Sequence, residues 1–233
     1  YSLRWYRQMV GISSIGDTTV VTNKWMLGTR NSFFIGICAT LLATALGTVA
    51  ALGLSRPNMP FKGTLMAILI SPMIVPLIIT SAGMFFFYSK IGLTHTYLGL
   101  ILAHTALGTP FVVITVTATL TGFDTNLIRA SQSLGADTMR TFFKVIMPLI
   151  LPGVISGGLF AFITSFDEVV VVMFIGSVEQ ITIPKQMWAG LRQETSPVIL
   201  CMATCLVALS IGLLTTVEML RRRSERLRGI KQR

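Results

Sequence analysis

Long apolar runs, all but one of them uncharged, alternate with short polar connections along the whole chain. Five runs reach the roughly 20 residues that a helix needs to cross a bilayer. They are residues 31–55, 63–89, 91–123, about 150–175 and 195–217, and within the third a helix fits best over about 97–120. The pattern predicts an all-α membrane protein, a polytopic helix bundle with five spans in this chain.

Composition supports this interpretation. Hydrophobic residues make up 52% of the 233 positions and charged residues 12%, whereas a soluble domain carries about 25% charged residues. The net charge of +10 would suggest a nucleic-acid partner in a soluble protein. In a membrane protein the basic residues instead indicate which side of the bilayer is cytoplasmic. We therefore expect a lipid environment and no nucleic-acid partner.

The distribution of Lys and Arg predicts the orientation. The connections after the first and third spans and the C-terminal tail hold 12 of the 19 basic residues, against 7 on the opposite side. The richer side should be cytoplasmic, which places the C-terminus inside and Tyr1 outside. Because an outside start needs a segment that carries it across, we expect a sixth span upstream of Tyr1. The predicted regions are an outer segment 1–30, a transmembrane domain 31–220 with an inner loop 121–148, and a basic cytoplasmic tail 221–233.

Prolines interrupt several of the predicted spans. Proline removes a backbone donor and kinks a helix, and broken membrane helices face protein or a water-filled cavity. The candidate hinges are Pro72, Pro76, Pro110, Pro148 and Pro152. A simple packing kink is an equally good interpretation. Gly153 and Gly157 form a G-x-x-x-G pattern, which indicates a close helix contact.

The inner loop 121–148 is polar and helix-friendly, unlike the runs around it. Asp124 suits an N-cap, residues 125–134 can form a short helix, and Gly135 suits the C′ position. Asp137 or Thr138 can cap a following helix. On the short helix one face carries Leu127, Ile128, Ser131 and Leu134. This stripe either rests in the lipid interface or docks into a groove on another protein.

Two acidic residues, Asp167 and Glu168, fall in the outer half of the fourth predicted span. A carboxylate inside the membrane is costly and should face a pathway or a partner. Adjacent helix residues point about 100° apart, so we expect one on a pathway and the other at a helix interface. A structural pair satisfied by Thr164, Ser165 or a partner chain is the alternative.

The remaining candidate chemistry is sparse. His104 in the third span and His95 before it show no spacing for a metal site or a catalytic set, so helix packing or pore lining is the favoured interpretation. The three cysteines lie in apolar runs without a C-x-x-C pattern and suit packing; they are Cys38, Cys201 and Cys205. We predict no metal site and no catalytic residues.

The inner loop resembles the EAA loop of ABC importer permeases. The residues RAS at 129–131, Gly135, and VIMP at 145–148 follow the spacing of that motif. Arg129 stands where the family has Glu, and Ser131 where it has the second Ala. The flanks resemble the permeases of polyamine-type importers, and they include SPMIVPLIITSAG, HTALGTPFVVITVTATLTGFD and LPGVISGGLFAFITSFDEVVVVMF. The resemblance covers most of residues 30–220.

The resemblance implies a permease subunit of the bacterial inner membrane rather than an enzyme. It implies a coupling helix that seats in a cytoplasmic ATPase dimer, a second permease subunit, and a periplasmic solute-binding protein. The coupling residues it implies are Leu127, Ile128, Arg129, Ala130, Ser131, Leu134, Gly135 and Ala136. No G-x-x-x-x-G-K-[ST] motif occurs in the chain, so ATP and Mg²⁺ belong to the partner and no cofactor is expected here.

The implied solute is a polyamine or a related small molecule, with Asp167 and Glu168 on its pathway. The alternative function is a stand-alone secondary transporter or channel, which would show inverted repeats or more intramembrane charges. An intramembrane enzyme that uses the acids with His104 would need a nucleophile, base and orienting group, which the sequence does not display.

Overall fold

A computed structural model describes residues 5–6, 19–56, 58–124, 126–193 and 197–227. The predictions for the rest of the N-terminal segment and for residues 228–233 lie outside the described residues. Regular structure in the described ranges is helical, in the order α1 Thr19–Leu54, α2 Lys62–Ile74, α3 Leu77–Lys90, α4 Tyr97–Thr121, α5 Asn126–Ser133, α6 Thr138–Thr141, a π-helix Phe142–Ile146, α7 Met147–Asp167, α8 Val170–Ile175, α9 Ile183–Gln193 and α10 Pro197–Leu227.

Four helical stretches of the described chain are long and apolar enough to cross a membrane. They are Lys24–Leu54, Tyr97–Thr121, Thr138–Asp167 and Pro197–Thr216, and α2 with α3 adds a fifth if the bent pair is one span. The predicted all-α polytopic bundle is therefore confirmed. The first helix begins at Thr19, so part of the predicted outer segment 1–30 continues directly into the first span.

The second predicted span is not one helix. Residues 63–89 divide into α2 and α3, whose axes are bent by 103°. Pro76 precedes α3, and Val75 before it is extended at φ −72° and ψ 136°. The Pro ring disfavours helical backbone at the preceding residue, which explains why the break occurs here although the apolar run continues.

The other candidate hinge prolines lie within or beside helices. Pro72 is inside α2, Pro110 inside the continuous helix α4, and Pro152 inside α7. Pro148 occupies the first turn of α7, directly after the π-helix, where a missing N–H is tolerated. Their role as hinges stays a prediction.

The core forms where α1, α4 and α7 pack against one another. Glycine permits the closest approaches. A Cβ at Gly157 would lie 2.8 Å from Cα of Val112, and one at Gly153 would collide with the hydroxyl of Thr119. The predicted close contact at the G-x-x-x-G pattern is confirmed, and its partner is α4.

Three threonines on α4 satisfy their hydroxyls within their own helix, whereas the buried hydroxyl of Thr117 has no hydrogen-bond partner among the described residues. The hydroxyls of Thr109, Thr115 and Thr119 donate to the carbonyl oxygens of Thr105, Phe111 and Thr115 at 2.7 to 2.9 Å. Such bonds to the preceding turn let polar side chains lie in an apolar contact without an unpaired donor. Two of them, Thr115 and Thr119, face the glycines of α7.

Candidate functional site

The inner loop folds as a capped helix, α5, between the spans α4 and α7. Oδ1 of Asp124 accepts the backbone N–H of Asn126 at 2.9 Å, which satisfies a donor at the start of the helix. At the other end Gly135 has φ +81°. The N–H of Ala136 donates to Ser131 O at 3.1 Å and that of Gly135 to Gln132 O at 2.9 Å. This is a Schellman cap, as the Gly135 prediction anticipated.

The segment after α5 ties it to the base of α7. Oδ1 of Asp137 accepts the N–H of Arg140 at 2.7 Å and begins α6, so Asp137 rather than Thr138 is the cap. The hydroxyls of Ser131 and Thr141 are 2.8 Å apart, and Thr141 is buried. A hydrogen bond with a buried partner fixes the orientation of α5 against the root of the following span.

The predicted apolar stripe of α5 divides between two environments. Ile128 and Ser131 are half-buried against the rest of the chain. Leu127 is 42% exposed and Leu134 is 89% exposed. Beyond the helix, Met139 and Phe143 are also exposed apolar residues, and the sequence pattern of the short helix did not include them.

The remaining coupling candidates are mostly exposed. Arg129 and Ala130 on α5 and the cap residue Gly135 are exposed, and Ala136 is half-buried. Arg129 therefore presents its charge on the open side of the helix, where the resemblance expects a glutamate.

The acidic pair lies at a helix end, not inside a continuous fourth span. The prediction of a span over 150–175 is wrong at this point: α7 ends at Asp167, and Glu168 is extended at φ −73° and ψ 124°. Oε1 of Glu168 accepts the N–H of Val171 at 2.8 Å. A side chain that caps a backbone donor offers the chain an alternative to continuing the helix, which accounts for the break.

The two acids occupy different environments. Asp167 is exposed, whereas Glu168 is buried and starts the short helix α8. The two side chains therefore have different surroundings because α7 ends between them and not because they occupy two faces of one helix. That one of them lines a pathway stays a prediction. Glu168 finds its partner in the backbone of α8, a partner that the sequence did not suggest.

The short helix α8 is apolar, and a lysine from α9 contacts its C-terminal end. Its residues Val171, Val172 and Ile175 are fully buried and pack with residues of α1 and α4 in one cluster. Nζ of Lys185, from α9, lies 3.2 Å from Val172 O, 3.3 Å from Gly176 O and 3.1 Å from Ser177 O. Burial lowers the pKa of Lys185 below its ordinary value.

Buried polar side chains hold the outer loop that follows α8. Nδ2 of Asn31 donates to Glu179 O at 2.8 Å and to Ile181 O at 2.9 Å. The hydroxyl of Tyr97 donates to Oδ1 of Asn31 at 3.1 Å. The N–H of Ile183 donates to the hydroxyl of Ser32 at 2.9 Å. Sequence reasoning counted Asn31 and Ser32 only as the beginning of a span.

The histidines have structural surroundings. His104 is buried, and its Nδ1 lies 2.7 Å from the hydroxyl of Ser165, which links α4 to α7. His95 has φ +59°, and its N–H donates to Ile175 O at 2.8 Å. Within the ranges that the structure describes, no group of three His, Cys, Asp or Glu side chains could hold a metal ion.

Comparison with known proteins identifies the family. Residues 11–226 match the family described as the inner membrane component of binding-protein-dependent transport systems. The chain belongs to this family. It is thus a multi-pass permease of the inner membrane and a transport component rather than an enzyme, and the resemblance of the inner loop is confirmed.

Two similar permeases are named for polyamines. The chain is 27% identical over 224 residues to the spermidine/putrescine transport system permease protein PotC of Haemophilus influenzae, covering 96% of this chain and 83% of that protein. It is also 27% identical over 244 residues to the putrescine transport system permease protein PotI of Escherichia coli K12, covering 100% of this chain and 82% of that protein.

Solved structures share the fold. A crystal structure of an amino acid ABC transporter with histidines has a TM-score of 0.65 at 15% identity, covering 91% of this permease and 100% of that chain. An inward-facing structure of the methionine ABC transporter MetNI has a TM-score of 0.64 at 21% identity, covering 91% and 99%. At these identities the similarity concerns the fold alone.

Proposed function

We propose that this permease is the membrane subunit of an importer for polyamines or a closely related small cation, driven by a partner ATPase. The observation that carries the proposal is the rigidly capped helix α5, which leaves Leu127 and Leu134 exposed between two spans. An apolar surface on a polar loop needs a partner, and a helix held at both ends transmits force when that partner moves.

The coupling residues divide by task in this proposal. Leu127, Leu134 and Arg129 contact the ATPase, while Ile128 and Ser131 hold α5 to the chain. Gly135 and Ala136 form the cap that sets the direction of the helix. Arg129 selects an ATPase whose groove offers a carboxylate, because it replaces a glutamate in the motif and reverses its charge.

The solute assignment rests on the polyamine permeases that the chain resembles and on one exposed acid. Asp167 offers a carboxylate next to the end of α7 and can attract a cationic solute. Glu168 lies beside it but already accepts a backbone N–H, so its contribution to a pathway is the field of its charge. The hinge prolines, led by Pro76 at the 103° bend, would accommodate the alternation between outward and inward access.

The assembly that follows has four kinds of partner. It comprises a cytoplasmic ATPase dimer that binds ATP and Mg²⁺, a second permease subunit, a periplasmic binding protein that recognises the solute, and the lipid bilayer. The C-terminus lies in the cytoplasm because most Lys and Arg lie on that side.

The test is uptake of radiolabelled putrescine and spermidine into proteoliposomes that contain the co-purified complex. We expect uptake only with ATP inside and binding protein outside, and lower uptake for Asp167→Asn with basal ATP hydrolysis retained. Uptake without ATP and without a co-purified ATPase would support the stand-alone transporter instead. ATP-dependent uptake of another solute, but of neither polyamine, would contradict the solute assignment.

A further inference from the structure

Three backbone carbonyl oxygens converge on one point at the end of α8. They belong to Val172, Gly176 and Ser177, and all three lie within 3.1 to 3.3 Å of Nζ of Lys185. Val172 O also accepts the N–H of Gly176 at 3.0 Å, and Gly176 and Ser177 directly follow the last residue of α8. All three carbonyls lie at the negative end of the helix dipole. Val172 and Gly176 are buried and Ser177 is half-buried, so two of the three acceptors belong to buried residues.

The chemistry of this cradle fits a primary ammonium group. An –NH₃⁺ group is compact and has three donors, which matches three acceptors around one nitrogen. A guanidinium is planar with its donors in a fixed fork, so it cannot direct three of them at oxygens that surround a single point. An apolar group would remove the donor from the carbonyls of Gly176 and Ser177, which is costly where a carbonyl is buried, whereas Val172 O would keep the N–H of Gly176.

The ammonium reaches the cradle from an independently anchored helix. The N–H of Ile183 is held by the hydroxyl of Ser32 at 2.9 Å, and that of Gln186 donates to Thr182 O at 2.9 Å. Asn31 fixes the loop just before α9. These bonds do not involve the Lys185 side chain, so α9 stays in place when that side chain is shortened and the cradle is left open.

We propose that the carbonyl oxygens of Val172, Gly176 and Ser177 form a binding site for a primary alkylammonium, which Lys185 fills in this structure. A free alkylammonium of matching length takes its place when the lysine is removed. The ends of a polyamine have the same chemistry as Nζ of Lys185. If the proposed function holds, the transported solute carries the group that this cradle binds, while the site itself does not depend on that function.

The experiment removes the lysine and supplies its missing part. Lys185→Ala retains Cβ, so n-propylammonium replaces the three remaining carbons and the ammonium. We expect the thermal midpoint of the purified complex to fall by on the order of 5 °C and to recover with millimolar n-propylammonium chloride. Tetramethylammonium, which has the charge without N–H donors, and n-propanol, which has the chain without the charge, should not restore it.

Two matched variants complete the design. Lys185→Met fills the space of the lysine side chain with an apolar group. Its thermal midpoint should therefore be lowered, and n-propylammonium should not restore it. Lys90→Ala removes an exposed lysine and should change neither the midpoint nor the response to the amine. If Lys185→Ala does not accumulate, n-propylammonium during expression and purification should recover it where tetramethylammonium does not.

Equal recovery with tetramethylammonium, or no recovery with any primary amine, would overturn the site. Putrescine uptake is measured on the same samples to separate the two proposals. Recovery of the midpoint in a complex that transports neither putrescine nor spermidine would keep the site and reject the polyamine function. Polyamine uptake by the complex, together with a Lys185→Ala variant whose thermal midpoint n-propylammonium does not restore, would reject the site and keep the polyamine function.

Discussion

Glu168 and Lys185 bind opposite ends of one six-residue helix. The carboxylate of Glu168 accepts the N–H of Val171 at its start, and the ammonium of Lys185 donates to Val172 O, Gly176 O and Ser177 O at its end. Acidic groups stabilise the N-terminal end of a helix and basic groups the C-terminal end. The two charges thus match the polarity of α8, although Glu168 lies in the break before α8 and Lys185 lies on α9, 17 positions later.

Replacing the acids one at a time should separate capping from transport. Glu168→Ala removes the acceptor of the Val171 N–H and should lower stability by about 1 kcal/mol, comparable to the loss of a helix-capping side chain, whereas Glu168→Gln keeps an acceptor oxygen and should fold normally. Asp167→Asn should leave the thermal midpoint unchanged and reduce uptake. Thermal denaturation and proteoliposome uptake on the same preparations measure both effects. A fall in stability for Asp167→Asn would show that its exposed carboxylate has a structural partner.

A charge on the exposed edge of α5 should uncouple the permease without unfolding it. Leu134 is 89% exposed, so Leu134→Asp removes little packing, yet it places a carboxylate in the proposed apolar contact with the ATPase. We expect loss of ATPase co-purification or of solute-stimulated hydrolysis. Val178→Asp is the control, because Val178 is 76% exposed on the loop that we place outside. If both variants behave alike, the surface of α5 has no special role.

The direction of α5 should depend on Gly135. Its φ of +81° is a left-handed conformation that costs a residue with a Cβ about 1–2 kcal/mol. Gly135→Val should therefore weaken coupling strongly, and Gly135→Asn should weaken it less because Asn tolerates this region. Gly122→Val is the control, since Gly122 has φ −92° and open space around it. Uptake per ATP hydrolysed is the measurement, and equal values for Gly135→Val and the control would contradict the capping argument.

The contact between α4 and α7 should tolerate no side chain at Gly157. A Cβ there would approach Cα of Val112 to 2.8 Å, and overpacking typically costs about 1–3 kcal/mol. Gly157→Ala should lower the thermal midpoint of the purified complex. Gly83→Ala in α3 has nothing within 4 Å of the new Cβ, so it should keep or raise the midpoint because Ala is the better helix former.

The anchor of the outer loop should depend on the amide of Asn31. Asn31→Leu has a similar volume but leaves Ile181 O without its donor and Glu179 O with only the Tyr97 hydroxyl at 3.2 Å. An unpaired buried polar group costs about 1–3 kcal/mol, and we expect faster proteolysis of residues 176–183 from the outer side. Tyr97→Phe removes a single hydroxyl from the same cluster and should have a smaller effect. Identical protection of all three proteins would reject the anchoring role.

Local signals were sufficient for the features that depend on neighbouring residues. The apolar runs predicted the spans, and Asp124, Gly135 and Asp137 predicted the ends of the short helices, because caps act within four residues. The bend before Pro76 could be predicted only in part, because a proline indicates that a helix breaks but does not determine the angle of 103°. The angle depends on what α2 and α3 pack against, and α2 buries none of its residues in this chain.

Long-range partners could not be predicted from the sequence. Asn31 bonds to a loop about 150 residues away, and Lys185 finds three backbone carbonyls, which carry no signature in the side-chain pattern. Glu168 also appeared to be an intramembrane charge because the apolar run continues to Ile175. Its own capping bond ends the helix, and a glutamate is not a residue that sequence rules favour as an N-cap.

The threonines of α4 have a consequence for motion. Because Thr109, Thr115 and Thr119 bond to their own helix, a shear displacement of α4 along α7 disrupts none of those bonds and changes only van der Waals contacts. The bond between His104 and Ser165 does cross between the two helices, and it must stretch in the same displacement. Resistance to sliding is thus concentrated at one pair of side chains, so replacing Ser165 would alter how readily these spans slip past each other without altering how closely they fit.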